Sequence, residues 1–243
     1  RNEATGFGIV FFAREMLKHF GEELKGKKVA LSGFGNVTWG TARKLNELGA
    51  KVITISGPDG YILDEDGVSG EKVDYLVELR ASGKNICAPY AEKFPGAKFF
   101  PGKKPWEVKA DLYIPCATQN EIHLEDAKVM VANGCKYLCE GSNMPTTNEA
   151  IKYLMDNGVI VGPSKAANAG GVACSCIEMG QNAGHTVFSP EQVYEQLETI
   201  IVNIHKNSAE ASERYGLGYN LVAGANIAGF EKVAQAMMAQ GVV

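Results

Sequence analysis

The sequence predicts an α/β fold, a doubly wound parallel sheet with helices on both faces and a helical C-terminal region. Three observations predict it. Short runs rich in β-branched and aromatic residues recur at 29–32, 52–56, 112–114, 137–139 and 159–161. Segments with apolar residues at helical spacing separate them. After Ser189 the pattern is almost entirely helical to Val243. Strands that alternate with helices are joined by crossovers, and the crossover helices cover the sheet.

The elements follow in order. Ile9, Phe12, Ala13, Met16 and Phe20 share one helical face and stop at Gly21, giving an amphipathic opening helix. A basic turn, Lys25 to Lys28, leads to the first strand. Val37, Ala42, Leu45 and Leu48 form the apolar stripe of the next helix, which ends at Gly49 before the second strand, completing one βαβ unit. Helical segments around Ala127 and Ile151 alternate with the later strands. Thr146 and Glu149 have the spacing of a capping box, and Ser189-Pro190 sets a cap before a proline at the first helical position. The domain expectation is a linking helix over 1–20, a dinucleotide-binding domain over 21–185 and C-terminal helices over 186–243. No repeat or low-complexity segment interrupts this order.

Composition removes several classes of function. The 243 residues are 45% hydrophobic and 21% charged, a globular balance. A formal charge of −4 offers no broad basic field, so nucleic acid is not an expected partner. No apolar run reaches the roughly 20 residues that a bilayer crossing needs, so no membrane partner is expected. The chain begins at Arg1 without a secretory signal and reads as a piece of a longer polypeptide. The pairs Cys135/Cys139 and Cys174/Cys176 lack zinc-knuckle spacing, and His19, His123, His185 and His205 are scattered. No metal site is expected. Free thiols then act as small core hydrophobes in a reducing compartment, with cytoplasm the default location.

Gly33-Phe34-Gly35-Asn36-Val37-Thr38 is a G-x-G-x-x-T variant of the dinucleotide fingerprint, set between a strand and a helix. The first glycine permits the tight turn, the second lets backbone approach a pyrophosphate, and the helix N-terminus presents N–H groups. This context makes the sheet Rossmann-type; the plain alternative is a glycine turn in an α/β protein. Thr38 stands where glycine or alanine is usual, at a position of close helix–strand packing. The second strand ends Ser56-Gly57-Pro58-Asp59-Gly60, with glycine where a ribose-binding carboxylate is usual. Asp59 reaches a ribose hydroxyl from the turn, or else Pro58-Asp59-Gly60 is ordinary turn chemistry. Arg80 and Lys84 are the candidate partners for a 2′-phosphate, or exposed charges serving solubility. The balance favours NAD over NADP.

Four further segments, "RNEATGFG" (1–8), "PCATQN" (115–120), "EGSNMPTT" (140–147) and "PSKAANAGGV" (163–172), together with "GFGNV" and "YNLVAGANIAGF" (219–230), resemble the glutamate dehydrogenases, within the Glu/Leu/Phe/Val dehydrogenase family. The resemblance covers essentially the whole chain. It implies an NAD(P)-dependent oxidoreductase of amino-acid metabolism, usually a homo-hexamer, that interconverts L-glutamate with 2-oxoglutarate and ammonia. It implies that Thr5 and Asn36 lie by the nicotinamide, with Gly33, Phe34 and Gly35 at the pyrophosphate and Val37, Gly57, Pro58 and Asp59 also in the cofactor site. Ala117, Thr118 and Gln119 line the cofactor groove, and Asn143 and Asn168 flank the nicotinamide. Val172 and Ser175 meet the substrate side chain. Each has a plain alternative: Thr5 and Thr118 as caps, Asn143 and Asn168 as turn formers.

In the family, the lysines and aspartate that act on the substrate lie in a preceding substrate domain, absent before Arg1. No catalytic residue is therefore assigned here, and Lys165 reads as local to this domain. The expectation is a chain that binds cofactor without turnover, beside its own N-terminal substrate domain in the complete enzyme. Two alternatives stay open. One is a leucine, valine or phenylalanine dehydrogenase domain, against which Ser175 and the "CATQN" and "NMPTT" segments weigh. The other is a nucleotide-binding module without chemistry.

Overall fold

The computed structural model describes residues 2–241; Arg1, Val242 and Val243 lie outside the described residues. The opening helix α1 (Ala4–His19) buries Ile9, Phe12, Ala13, Met16 and Leu17 completely. At roughly 1.5–3 kcal/mol for each large side chain removed from water, that face is a principal source of stability. It packs against the sheet as part of one core, so α1 joins the Rossmann unit as a structural layer. Strands β1 (Lys28–Leu31) and β2 (Lys51–Gly57) flank α2 (Asn36–Glu47) as the periodicity requires.

The chain then departs from a purely parallel sheet. Strands β3 (Gly60–Leu63) and β4 (Lys98–Pro101) pair antiparallel, β3 on β2 and β4 on β3. The cause is local: Pro58-Asp59 forms a two-residue turn between Gly57 and Gly60 that folds the chain back on β2, and Tyr61 stacks on Phe100 across the new pair at 4.7 Å. Helices α3 (Glu71–Ala81) and α4 (Ala88–Lys93) fill this excursion. Neither these helices nor β3 and β4 were expected from the pattern.

The parallel order resumes with β5 (Leu112–Ile114), α5 (Leu124–Ala132), β6 (Tyr137–Cys139), α6 (Asn148–Asp156) and β7 (Ile160–Gly162). The strand order is β4-β3-β2-β1-β5-β6-β7. Alternate residues of β1, β5 and β6 enter different cores. Val29, Leu31, Val52 and Ile55 join the core under α1, α2 and α3, while Ala30, Ile53, Tyr113 and Leu138 join the core under α5 and α6. Both faces are therefore covered. The remaining helices are α7 (Ser164–Ala167), α8 (Gly170–Ala183), α9 (Pro190–Arg214) and α10 (Leu221–Gln240).

Two capping expectations had different outcomes. Ser189 and Gln192 form a reciprocal capping box with Pro190 at the first helical position. At α6 the cap is Thr147, whose hydroxyl accepts from Ala150 N–H, one residue later than the Thr146 expected. Thr146 is held in extended backbone by a bridge to Ile122, so the helix starts beyond it. Five of the six cysteines are buried, and Cys176 is exposed.

This topology creates the crevice. The chain leaves β1 toward β2 on one side and returns to β5 on the other, so the loops after β1 and β5 diverge at the C-terminal edge. Open α/β sheets bind ligands at such a switch point.

Candidate functional site

Ser32 to Asn36 form one wall of the crevice. Gly33 has φ +95°, and a Cβ there would lie 2.6 Å from the Cys116 carbonyl oxygen and 2.5 Å from the Thr38 hydroxyl. Only glycine fits this crossing of the two loops. The same contact explains Thr38: it is fully buried against Gly33, and its hydroxyl donates to Ser32 O at 3.2 Å. The position serves close packing with its polar group satisfied. Gly35 differs, because a Cβ there meets nothing within 4 Å. It precedes the first turn of α2, which no side chain caps. An uncapped helix start beside the open space over Gly35 is a suitable seat for a pyrophosphate.

Past this turn lies a cleft of about 500 Å³ lined by Phe34, Gly57, Pro58, Arg80, Lys103 and Lys104 among others. Gly57 is explained by its surroundings: a Cβ would approach Asp59 Oδ1 at 2.8 Å and Cys87 Sγ at 3.0 Å. Asp59 departs from the ribose role. Its two carboxylate oxygens accept from the N–H groups of Cys87 and Ala88 at 2.8–2.9 Å, and it is not among the residues lining the cleft. It fixes the start of α4, leaving Pro58-Asp59-Gly60 as turn chemistry. Of the two candidate cations, Arg80 lines the cleft and donates to Phe34 O and Asn85 Oδ1, whereas Lys84 does not line it.

A second cleft, about 720 Å³, continues on the other side of the 116–119 loop. It brings together Thr5, Val37, Ala117, Thr118, Gln119, Asn143, Asn168, Val172 and Ser175 from five segments. Asn168 Nδ2 donates to Asn143 Oδ1 at 2.8 Å, so these two asparagines act on each other across the cleft edge. Asn36 departs from expectation: it is exposed and faces a depression shared with Asn2, Glu3, Trp39, Arg43 and Val77. Asn36 is not among the residues that line the cleft with Thr5, whereas its neighbour Val37 is. Lys165 lines the cleft and donates to Asn226 of α10, the local role read from its context.

The cleft depends on glycine contacts between helices. A Cβ on Gly8 would lie 2.8 Å from Gly170 Cα, and one on Gly170 would overlap the Ala4 carbonyl oxygen. Here α1 and α8 cross at backbone distance, which sets Thr5 against Gly171 and beside Val172. Val172 and Ser175, three apart on α8, share its cleft face. The Ser175 hydroxyl donates to Gly171 O at 3.2 Å, a bond within its own helix.

Over residues 1–241 the sequence matches the profile of Glutamate/Leucine/Phenylalanine/Valine dehydrogenase. The chain belongs to that family. It is 56% identical over its whole length to an NAD-specific glutamate dehydrogenase of Clostridium symbiosum, covering 54% of that protein. Identity is 46% to an NADP-specific glutamate dehydrogenase of Haemophilus influenzae, again over the whole chain and 54% of the relative. The fold superposes on the glutamate dehydrogenase of Plasmodium falciparum with a TM-score of 0.96 at 42% identity, covering all of this chain and 52% of that one. The chain thus spans about half the length of the curated relatives it matches.

Two buried carboxylates near the clefts were not expected from the sequence. Glu121, 4% exposed, accepts from Ala117 N–H at 3.0 Å, and burial raises its pKa above the usual carboxylate value. Glu140, 3% exposed, accepts from Ser164 N–H at 2.8 Å, and burial raises its pKa too. One lies behind the 117–119 loop; the other joins the segment carrying Asn143 to the helix before Asn168. The available signal was an acid directly after an apolar strand, at Cys139-Glu140, since unpaired acids are almost never fully buried. Lys103 and Lys104 were also missed, being separated from the glycine turn by the unexpected β3–β4 excursion.

Proposed function

We propose that this chain is the cofactor-binding half of an NAD(P)-dependent glutamate dehydrogenase, which reversibly deaminates L-glutamate to 2-oxoglutarate and ammonia. The observation that carries the reading is the glycine turn at the switch point, lining one cleft beside a second lined by Thr5, Asn143, Asn168, Val172 and Ser175. The identity to glutamate dehydrogenases supports it. The residues fit a dinucleotide: open space over Gly35 and the uncapped turn of α2 suit the pyrophosphate. Gly33, Phe34 and Gly35 would hold that group, Gly57 and Pro58 the adenosine side, and Ala117, Thr118 and Gln119 the groove between them. Thr5, Asn143 and Asn168 would orient the nicotinamide side. When bound, the cofactor supplies the hydride acceptor or donor.

The protein's part is to orient the reacting groups and exclude water. The substrate domain expected upstream would close over the second cleft, bringing the residues that polarise the substrate. Val172 would contact the aliphatic part of glutamate, and Ser175, on the first turns of α8, would face its side-chain carboxylate. NAD is the favoured cofactor, because no cation directly follows β2 and Arg80 already binds two acceptors. The whole enzyme would be a cytoplasmic homo-hexamer. No helix among the described residues is long and apolar enough to cross a membrane.

The test is a pair of measurements. The chain alone should bind NADH by calorimetry at least as tightly as NADPH, without turnover. The complete polypeptide should oxidise glutamate faster than leucine, valine or phenylalanine. Absence of NADH binding, or a preference for an apolar amino acid, would overturn the reading.

A further inference from the structure

Asn143 and Asn168 meet at the edge of the second cleft, yet neither lies on a long element. Asn143 belongs to the loop after β6, and Asn168 closes α7, a helix of one turn. What holds them opposite each other is a set of hydrogen bonds between those two segments. Asn168 Nδ2 donates to Asn143 Oδ1 at 2.8 Å, and Asn168 N–H donates to Ser164 O at 2.9 Å, so the pair is tied to the start of α7. Ser164 is in turn bound twice to the Asn143 loop. Its N–H donates to Glu140 Oε2 at 2.8 Å, and its hydroxyl accepts from Met144 N–H at 3.3 Å. Residues 140–144 and 164–168 thus close a ring, fastened at one end by Glu140 and Ser164 and at the other by the two asparagines.

Within this ring the carboxylate is the stronger fastening. Pro163, ahead of α7, has no N–H and no side-chain cap to offer, so the first donor of the helix finds its acceptor in Glu140, at the end of β6. Both residues are buried, and without that acceptor the Ser164 N–H would be left unpaired away from water. The Met144 bond is longer than the usual range, and Met144 itself has φ +47°, a conformation that an L side chain rarely adopts. Glu140 Oε1 has no hydrogen-bond partner among the described residues. The side chain therefore serves α7 through one acceptor oxygen, which a neutral amide also carries. Neither Glu140 nor Ser164 lines the adenosine-side cleft.

We infer that Glu140 is a positioning residue: by holding the start of α7 it keeps Asn168 against Asn143, and so governs how the nicotinamide half of the cofactor is received while leaving the adenosine half alone. The inference rests on the proposed cofactor role of the two asparagines.

The test uses the complete polypeptide that carries this chain and two probes, NADH and ADP-ribose, which lacks the nicotinamide. A parent protein that binds neither would overturn the cofactor reading and this inference with it; the other outcomes bear on Glu140 alone. Glu140→Met, which keeps the volume without an oxygen, should weaken NADH about fivefold and lower kcat about tenfold, with ADP-ribose affinity within about twofold of the parent. Glu140→Gln should restore all three to within about twofold, because its amide oxygen meets the same N–H. In an Asn168→Ala background, Glu140→Met should add less than about twofold, since the pair through which Glu140 acts is already gone. Equal losses of NADH and ADP-ribose, a glutamine variant as impaired as the methionine one, or fully multiplicative losses in the double variant would overturn the inference. If Glu140→Met does not fold, Glu140→Asp, which keeps the charge but withdraws the acceptor by one methylene, takes its place with the same expected and overturning results. If neither folds, Glu140 serves the fold alone and the inference is overturned.

Discussion

The glycine turn takes its working parts from consecutive residues, Ser32 to Gly35, whereas the second cleft draws Thr5, Asn143, Asn168, Val172 and Ser175 from separate segments. Glycines serve both regions, for opposite reasons. At Gly35 the space beyond the backbone is empty, and the missing side chain leaves room for a ligand. At Gly8 and Gly170 the space is filled by the other helix, and the missing side chains leave room for the protein itself. A local motif can thus be tuned with little effect on the fold, while the assembled cleft exists only as long as α1 and α8 stay in contact.

Gly170→Ala tests that difference most strongly. Its Cβ would drive α8 away from the Ala4 carbonyl, and overpacking against backbone costs about 3 kcal/mol. Thermal melting should show a midpoint lower by roughly 6–12 °C for a chain of this size. A midpoint within a degree of the parent would mean that α1 and α8 can separate freely, removing the contrast.

The far end of α1 offers a pH test of the same packing. His205 Nε2 lies 2.6 Å from the Tyr219 hydroxyl, Phe12 meets the His205 ring edge-on, and His19 stacks on Tyr219 at 3.7 Å. Burial pushes the His205 pKa down to about 4 from the ordinary 6.5. The folded state therefore binds this proton less well than the unfolded state. Its contribution is full above about pH 6.5 and is lost as pH falls toward 4, at most roughly 3 kcal/mol. Urea midpoints measured from pH 7 to 4.5 should fall more steeply in the parent than in His205→Gln. Parallel slopes would exclude His205 as the responsible group.

Gly35→Val addresses the local wall. The added side chain meets no protein atom, so melting should be close to the parent, with the small cost of a β-branched residue before a helix. NADH affinity should drop about 30-fold, near 2 kcal/mol, because the valine occupies the approach to the pyrophosphate. Calorimetry with undiminished binding would defeat the assignment; a large loss of stability would erase the distinction between Gly35 and Gly170.

Ser175→Ala has the smallest expected effect, since the hydroxyl already has a partner in Gly171 O. In the complete enzyme the glutamate KM should rise about tenfold, near 1.4 kcal/mol, toward the low end for a hydrogen bond to a charged group. Norvaline, which lacks the side-chain carboxylate, should be affected less. Equal changes for both substrates, or none for either, would show that Ser175 serves only its helix.

What the sequence determined on its own was local. Helical spacing of Ile9, Phe12 and Met16, the βαβ unit around Gly33 and Gly35, and the Ser189-Pro190 cap each rest on interactions within a few residues, so a linear pattern records them. The resemblance to glutamate dehydrogenases added the gathering of Thr5, Asn143, Asn168 and Ser175, which no periodicity contains. Tertiary structure alone decided the rest. Whether Asp59 reaches a ribose depended on Cys87 and Ala88, brought near by an antiparallel excursion that the Pro58-Asp59 turn began. Whether Asn36 shares a cleft with Thr5 was decided only in the folded chain, where it faces a separate depression. Glu121 is buried only because the 117–119 loop folds over it and Ala117 N–H meets its carboxylate. In each case the energy lies in desolvation and in donors supplied from distant segments, and those become fixed only when the chain is packed.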